Sequence, residues 1–217
     1  MIYTNVQGHG DDFENKIHIV VHGKTKKEYE TLIEGGYISK FDIVKGILAT
    51  FNGSVKVTNG NGVGCGDILR MYKGTQDNEI IFIVGVWKQI SKKVKEYNKV
   101  YEFYIDPSYH NLLWGGMQLD TLENFNSYVK NISYGKKGQL LNQKLWKEKR
   151  KNIYDREGRG LMSIDAKIDS KNQRRVQCSF KIKEMIKVGI SYKEFVDEYR
   201  GISLSYIQDN APARTFN

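Results

Sequence analysis

Proline and cysteine are scarce in this sequence, and long apolar runs are absent. The 217 residues include two prolines and two cysteines, Cys65 and Cys178, which lie far apart in the chain. So few cysteines exclude a cysteine-rich zinc site and indicate a reducing compartment. No stretch reaches the roughly 18 apolar residues that span a bilayer, and the N-terminal residues lack the pattern of a signal peptide. We therefore expect a soluble, cytoplasmic protein with no membrane contact.

Positive charge is in clear excess. Lys and Arg number 34 against 25 Asp and Glu, which gives a net charge of +9 and a pI near 9.3. Such a surplus favours a polyanionic partner through long-range attraction and counterion release. A solvated, lysine-rich surface is the alternative interpretation. The hydrophobic fraction of 40% is sufficient for a buried core.

The hydrophobic pattern predicts a mixture of helices and strands, with residues 13–22 ambiguous between the two. Thr25 and Glu28 have the spacing of a capping box at the start of a helix. Helices are predicted at 25–34, 40–51, 119–132 and 139–154 and around 192–200; strands at 54–58, 67–73, 79–87, 100–106, 161–168 and 176–182; and a glycine-rich loop at 59–66. The fold class is therefore α+β or α/β, with a central mixed β-sheet flanked by helices.

Asp67 and Lys88 are the first candidates for chemistry. Asp67 follows the glycine-rich loop and is predicted to open a strand, and Lys88 ends the next, almost wholly apolar strand. If these strands form a hairpin, a carboxylate and an ammonium group converge at one end of the sheet. The carboxylate can bind Mg²⁺, and the lysine can orient water or stabilise negative charge that develops on a phosphate.

This layout resembles the PD-(D/E)xK nuclease superfamily, in which an Asp begins one strand and an acid-x-Lys motif lies on the next. Together, KFDIVKGIL, VGCGDILRMY with IVGVWKQ, and SKNQRRVQCSF resemble small type II restriction endonucleases. Val86 occupies the position of the acid, so another residue must supply the second metal ligand. Glu14 is the first candidate, because many nucleases of this superfamily carry a glutamate on the first helix; Gln89 and Glu79 are weaker ones.

The resemblance implies a restriction-endonuclease-like fold that cleaves double-stranded DNA with Mg²⁺, beside a cognate DNA methyltransferase. It implies one nuclease domain over residues 1–217, with a catalytic core at 1–135 and a DNA-recognition portion at 136–217. Whether the protein acts as a monomer or a homodimer stays open. A second Asp-x-Lys arrangement, formed by Asp155, Asp165 and Lys167, is an alternative active site.

Two segments carry the side chains expected to contact DNA. The polar stretch between the last two predicted long strands is rich in guanidinium and amide groups, which read base edges, whereas a lysine or serine suits a phosphate. A basic helix at 144–151 adds a further phosphate-contacting face. The predicted contacts are Lys167, Ser170, Lys171, Asn172, Gln173, Arg174, Arg175, Gln177, Lys147 and Lys149.

Two other functions use the same basic surfaces. One is a DNA- or RNA-binding protein without catalytic activity. The other is a metal-independent DNA enzyme such as a glycosylase, which needs no second acid. The response of plasmid DNA to the protein with Mg²⁺ and with EDTA distinguishes all three.

Overall fold

The computed structural model describes residues 8–33, 41–91, 95–132, 135–168 and 174–204. The helices are α1 (Gly8–His22), α2 (Lys26–Glu30), α3 (Ile68–Asp77), α4 (His110–Trp114), α5 (Leu119–Lys130), α6 (Gly135–Glu157) and α7 (Ile182–Lys187). The strands are β1 (Asn52–Thr58), β2 (Gly62–Asp67), β3 (Ile80–Gln89), β4 (Lys95–Ile105), β5 (Ser163–Ile168), β6 (Arg174–Lys181), β7 (Tyr192–Val196), β8 (Glu198–Tyr199) and β9 (Ile202–Ser203).

The chain divides into two compact units, and each is assembled from separate stretches of sequence. Unit 1 comprises residues 1–63, 79–105 and 189–217, and unit 2 comprises residues 64–78 and 106–188. Neither unit corresponds to residues 1–135 or 136–217, and the catalytic and recognition roles given to those two ranges stay predictions. Among the described residues, no helix is both long and apolar enough to cross a membrane.

Unit 1 is built on a four-stranded mixed sheet in the order β1-β3-β4-β7. Strand β1 runs parallel to β3, whereas β4 is antiparallel to both β3 and β7. The prediction of a mixed sheet flanked by helices is therefore confirmed, and the almost wholly apolar strand β3 lies inside this sheet. The finer prediction, a restriction-endonuclease-like fold, stays a prediction.

Helix α1 resolves the ambiguity of residues 13–22 and packs on this sheet. Phe13 and Ile17 are fully buried in one cluster with Val55 and Ile83. Phe13 lies so close to Gly85 that a Cβ atom there would be 2.5 Å from its ring, so β3 needs glycine at this point. The capping box of Thr25 and Glu28 is present, as predicted, although α2 is short.

Two predicted helices in unit 1 are wrong. Residues 41–51 form no helix, because Ile43 exchanges two backbone hydrogen bonds with Gly53 and so pairs with the start of β1. The predicted helix around residues 192–200 is instead β7, which pairs with β4, followed by β8. In both cases the apolar spacing was compatible with a helix, but pairing with a neighbouring strand decided the conformation.

Unit 2 contains a three-stranded sheet in the order β2-β6-β5, covered by helices. Strands β5 and β6 form the predicted antiparallel pair, and α5 docks on β6 where Asn126 Oδ1 accepts a hydrogen bond of 3.0 Å from the amide of Val176. The predicted loop at 59–66 is wrong in part, because β2 begins at Gly62. Cys65 on β2 and Cys178 on β6 are free and buried, and the Cys178 thiol donates a hydrogen bond of 3.9 Å to the carbonyl of Gly66.

Glu102 is a buried charge of unit 1 with several hydrogen-bond partners. Its carboxylate is 1% exposed and accepts hydrogen bonds from the hydroxyls of Tyr104 (2.6 Å) and Tyr199 (2.7 Å) and from the guanidinium of Arg200 (2.8 Å). Burial alone would raise the pKa of Glu102, but these hydrogen bonds outweigh burial and lower it. The cluster fixes the short pair β8–β9 to the central strand β4.

We expect Glu102→Gln to lower the free energy of unfolding by about 1–3 kcal/mol at neutral pH, because the buried hydroxyl of Tyr199 and the other two donors lose a charged acceptor. The native pKa of Glu102 is below the unfolded value of about 4.3. Its contribution is therefore present above that pH and is lost as the pH falls through the native pKa. Urea denaturation from pH 7 to pH 3 measures this, and the difference between variant and wild type should shrink on acidification.

Glu194→Gln is the matched control, because Glu194 pairs with Lys99 on the same sheet but at the surface. Such pairs contribute about 0–1 kcal/mol. Equal losses of unfolding free energy for the two variants would show that the Glu102 cluster stabilises the protein no more than a surface ion pair does.

Candidate functional site

Asp67 does not open a strand, which corrects the prediction from sequence. It is the last residue of β2 and the N-cap of α3, where its Oδ1 accepts a hydrogen bond of 3.0 Å from the Arg70 amide. Residues 68–73 are helical because Ile68, Met71 and Tyr72 have the spacing of a buried helix face. The predicted hairpin of 67–73 with 79–87 is therefore absent.

The other members of the predicted catalytic set lie in unit 1. Lys88 and Gln89 are exposed at the end of β3, where Lys88 is in register with Glu96 and the Gln89 amide donates to the carbonyl of Ser91. Glu14 lies on α1 and forms an ion pair of 3.0 Å with Lys26. Asp67 belongs to unit 2, so the predicted set is divided between the units. The roles proposed for these residues in catalysis or metal binding stay predictions.

The alternative Asp-x-Lys arrangement lies within unit 2, and both of its acids already have partners. Asp165 on β5 forms an ion pair with Arg150 of α6, and Asp155 forms one of 2.6 Å with Lys151. Lys167 is in register with Arg175 on the neighbouring strand. Each carboxylate is thus neutralised by a separate cation.

A different carboxylate and lysine meet on the sheet of unit 1. Asp42 Oδ2 lies 2.8 Å from Lys56 Nζ and also accepts a hydrogen bond of 2.7 Å from the Val55 amide. The hydroxyl of Ser54 approaches the same oxygen at 3.4 Å. Both charged side chains are largely buried, with 21% and 15% exposure. Sequence reasoning missed this pair because residues 40–51 were predicted to be a helix.

The strand pairing explains why Asp42 and Lys56 meet. The hydrogen bonds between Ile43 and Gly53 bring the segment after Asp42 alongside β1 in antiparallel orientation. Val55 belongs to the core cluster with α1, so Ser54 and Lys56 lie on the opposite face of β1. The order of these residues matches that of an acid followed by an acid-x-Lys motif. Asp42 precedes one extended segment, and Ser54-Val55-Lys56 lies on the next, with Ser54 in the position of the second acid.

The donors at this pair are one carboxylate and one hydroxyl. Mg²⁺ prefers oxygen ligands, keeps several waters and is commonly held by one or two carboxylates together with substrate phosphates. Asp42 and Ser54 therefore fit a Mg²⁺ site with the fewest protein ligands, in which one carboxylate is supplemented by one hydroxyl. Across the described part of the chain, no three His, Cys, Asp or Glu side chains are grouped closely enough to hold a metal ion.

The surplus of positive charge is concentrated in unit 2. Its residues include 19 Lys and Arg against 11 Asp and Glu, whereas unit 1 has 15 against 14. On β5 and β6, Lys167 and Arg175 lie directly opposite each other, and like charges in this position are destabilising. Neither forms an ion pair with a described residue, and the buried Nε of Arg175 has no hydrogen-bond partner among them. An anion bound between them would satisfy both.

Arg174 and Arg175 point to opposite faces of β6, because side chains alternate along a strand. The Arg174 guanidinium donates a hydrogen bond of 2.7 Å to the carbonyl of Ile132, just after α5. Gln177 shares the face of Arg175 and is in register with Asp165. The predicted contacts Ser170, Lys171, Asn172 and Gln173 lie outside the described residues.

Helix α6 presents lysines on more than one side. Lys144, Lys147 and Lys151 are exposed and share a face because they are three and four residues apart. Lys149 lies elsewhere on the helix, with its Nζ 4.5 Å from the ring centroid of Tyr128. Lys147 and Lys149, both predicted to contact phosphate, therefore have different surroundings.

Comparisons of the chain with protein-family models, with curated proteins and with solved structures find no match. The resemblance to type II restriction endonucleases consequently rests on the residues discussed above.

We expect Asp67→Ala to lower the free energy of unfolding by about 0.5–2 kcal/mol, because α3 loses its cap, and Asp67→Ser to retain most of it. Urea denaturation of both variants checks this. A loss for Asp67→Ser as large as that for Asp67→Ala would mean that the carboxylate has a role beyond capping.

Proposed function

We propose that this protein is a Mg²⁺-dependent endonuclease acting on double-stranded DNA, of the type II restriction class. The observation that carries the proposal is the Asp42–Lys56 pair, with Ser54 beside it, on paired extended segments of unit 1. We place the reaction centre there instead of at Asp67 and Lys88. The basic surface of unit 2 supports DNA as the substrate.

The pair offers the two kinds of group that phosphodiester hydrolysis requires. Lys56 is a cation held in place by Asp42 and by the carbonyl of Val55, to which it donates at 2.8 Å. A fixed cation stabilises the negative charge that develops on the phosphate in the transition state, and it also orients the attacking water. Because the ammonium group is largely buried, its field is screened less than that of a surface lysine.

Asp42 and Ser54 are the residues that would hold Mg²⁺. Glu14 lies on α1, which packs on the other face of β1, and it is paired with Lys26. When bound, the metal supplies Lewis acidity, which polarises a phosphoryl oxygen and makes a coordinated water more acidic. Asp42 would then be shared between the metal and Lys56. The ion pair thus serves to position the lysine whether or not metal is present.

Unit 2 supports the binding step. The cations of α6 lie along an exposed helix face, where they can follow a phosphate backbone, and Arg175 with Gln177 offers a guanidinium and an amide on one strand face. These side chains can read base edges. Arg174, by contrast, is used to hold the end of α5.

A second candidate function is nucleic-acid binding without catalysis. The opposed cations Lys167 and Arg175 and the buried Nε of Arg175 favour an anionic ligand and require no metal. Plasmid DNA incubated with Mg²⁺ or with EDTA decides between the two. Discrete bands that depend on Mg²⁺ support the nuclease, whereas a mobility shift without cleavage supports the binding protein.

We expect Asp42→Asn and Lys56→Gln each to lower the rate of Mg²⁺-dependent cleavage by at least about 100-fold, since each removes a charge from the reaction centre. DNA affinity should stay within about twofold of wild type, because neither residue is among the proposed DNA contacts of unit 2, which are the lysines of α6 with Arg175 and Gln177. Single-turnover cleavage and equilibrium binding to the same duplex measure the two effects.

Asp67→Ser and Lys88→Gln are the matched pair for the site predicted from sequence. If these variants lose cleavage and those of Asp42 and Lys56 retain it, the reaction centre is at Asp67 and Lys88, and our placement is wrong. If all four variants cleave like wild type, neither pair is catalytic. Circular dichroism of each variant identifies those that fail to fold.

For DNA binding, Lys147→Ala should weaken cognate and random duplexes equally and reduce the slope of log K against log salt concentration by about one. Lys27→Ala, an exposed lysine of unit 1, is the control and should leave the slope unchanged. Arg175→Ala should instead weaken the cognate duplex more than the random one, by about 1–3 kcal/mol. Equal losses on both duplexes would make Arg175 a phosphate contact.

A further inference from the structure

A cleft of about 350 Å³ lies between α5 and α6 in unit 2. Its lining includes Lys149 and Tyr128, whose contact is described above. Phe125 and Ile153 contribute buried, apolar walls, whereas Asn124 and Asn152 are exposed. This volume falls at the lower end of the range for small-molecule sites, which combine apolar walls with a few polar groups.

The cations of the cleft are held by neighbouring side chains. Lys149 Nζ lies over the ring of Tyr128, which also lines the cleft, and this contact favours the cation. Arg156 donates to Glu157 at 2.6 Å, and Glu157 in turn accepts a hydrogen bond of 2.9 Å from Thr121. Among the described residues that line the cleft, none is acidic. The cleft therefore suits an anion.

The amide groups add a second kind of recognition. Asn124 on α5 and Asn152 on α6 line the cleft, and neither forms a hydrogen bond with a described residue. An asparagine amide can donate and accept at once, and so can pair with the edge of a base such as adenine. Positive charge and free amides beside apolar walls match the phosphate, the base edge and the ring faces of one nucleotide.

We propose that the α5–α6 cleft binds a single nucleotide, with its phosphate at Lys149 and Arg156 and its base edge at Asn124 and Asn152. The nucleotide is either free in solution or displaced from a nucleic-acid strand, and in the second case the inference rests on the proposed function. Displacement of one base into a protein pocket disrupts its stacking and pairing, and contacts within the pocket offset that loss.

The test is calorimetric titration of the full-length protein with dAMP, inorganic phosphate and an adenine-containing single-stranded 12-mer. Lys149→Ala and Asn152→Ala should each weaken binding of the nucleotide ligand about tenfold, the usual effect of losing a hydrogen bond to a charged or well-matched group. Inorganic phosphate should respond only to Lys149→Ala. Lys187→Ala removes the same charge from the exposed end of α7, outside the cleft, and should change the affinities less than about twofold.

If Asn152→Ala weakens dAMP, the source is the free nucleotide; if it weakens only the 12-mer, the source is a strand. If neither ligand responds to Asn152→Ala, or Lys187→Ala has the same effect as Lys149→Ala, the cleft is not a nucleotide site. Plasmid cleavage by the same variants keeps the two proposals distinguishable. If Lys149→Ala and Asn152→Ala cut plasmid and bind dAMP and the 12-mer like the wild type, the nucleotide site in the cleft is wrong and the proposed function stands. A protein that binds dAMP in the cleft but does not bind or cut plasmid overturns the proposed function alone.

Discussion

Parallel pairing of β1 with β3 is the constraint on which much of this structure depends. Parallel neighbours cannot be joined by a tight turn, so the chain must leave the sheet after β1 and return to the opposite end of β3. In this protein most of that crossover, from Gly64 to Asn78, belongs to unit 2, where it supplies strand β2 and helix α3. Asp67, the last residue of β2 and the N-cap of α3, therefore owes its position to the crossover between β1 and β3.

The sequence predicts the regular elements well where one signal dominates. Strand β3 is almost wholly apolar, and α5 and α6 have clear helical spacing, so all three were found. The failures lie where the same residues suit two conformations. Residues 41–51 have helical spacing, yet the hydrogen bonds between Ile43 and Gly53 make them extended. A local pattern does not contain that information, because the partner strand decides it.

The same limit applies to the candidate site. An acid and a lysine near strand ends were expected from sequence, but which acid meets which lysine depends on pairing. Asp42 and Lys56 are 14 residues apart and meet because the chain turns back between them. The Ser-x-Lys on the predicted strand 54–58 was the available signal. In unit 2, by contrast, the opposite orientation of Arg174 and Arg175 follows from the alternation of side chains along a strand alone.

The interleaving of the two units also governs when the molecule can form during synthesis. Arg200, which neutralises Glu102, follows it by 98 residues, and the whole of residues 106–188 must be made in between. Until the segment with β7, β8 and β9 leaves the ribosome, β4 has an unpaired edge and Glu102 has no counter-charge. Contacts this distant in sequence slow folding, because a long loop closes before they contribute. Every segment of unit 2 is therefore synthesised before the last segment of unit 1, which carries β7, β8 and β9.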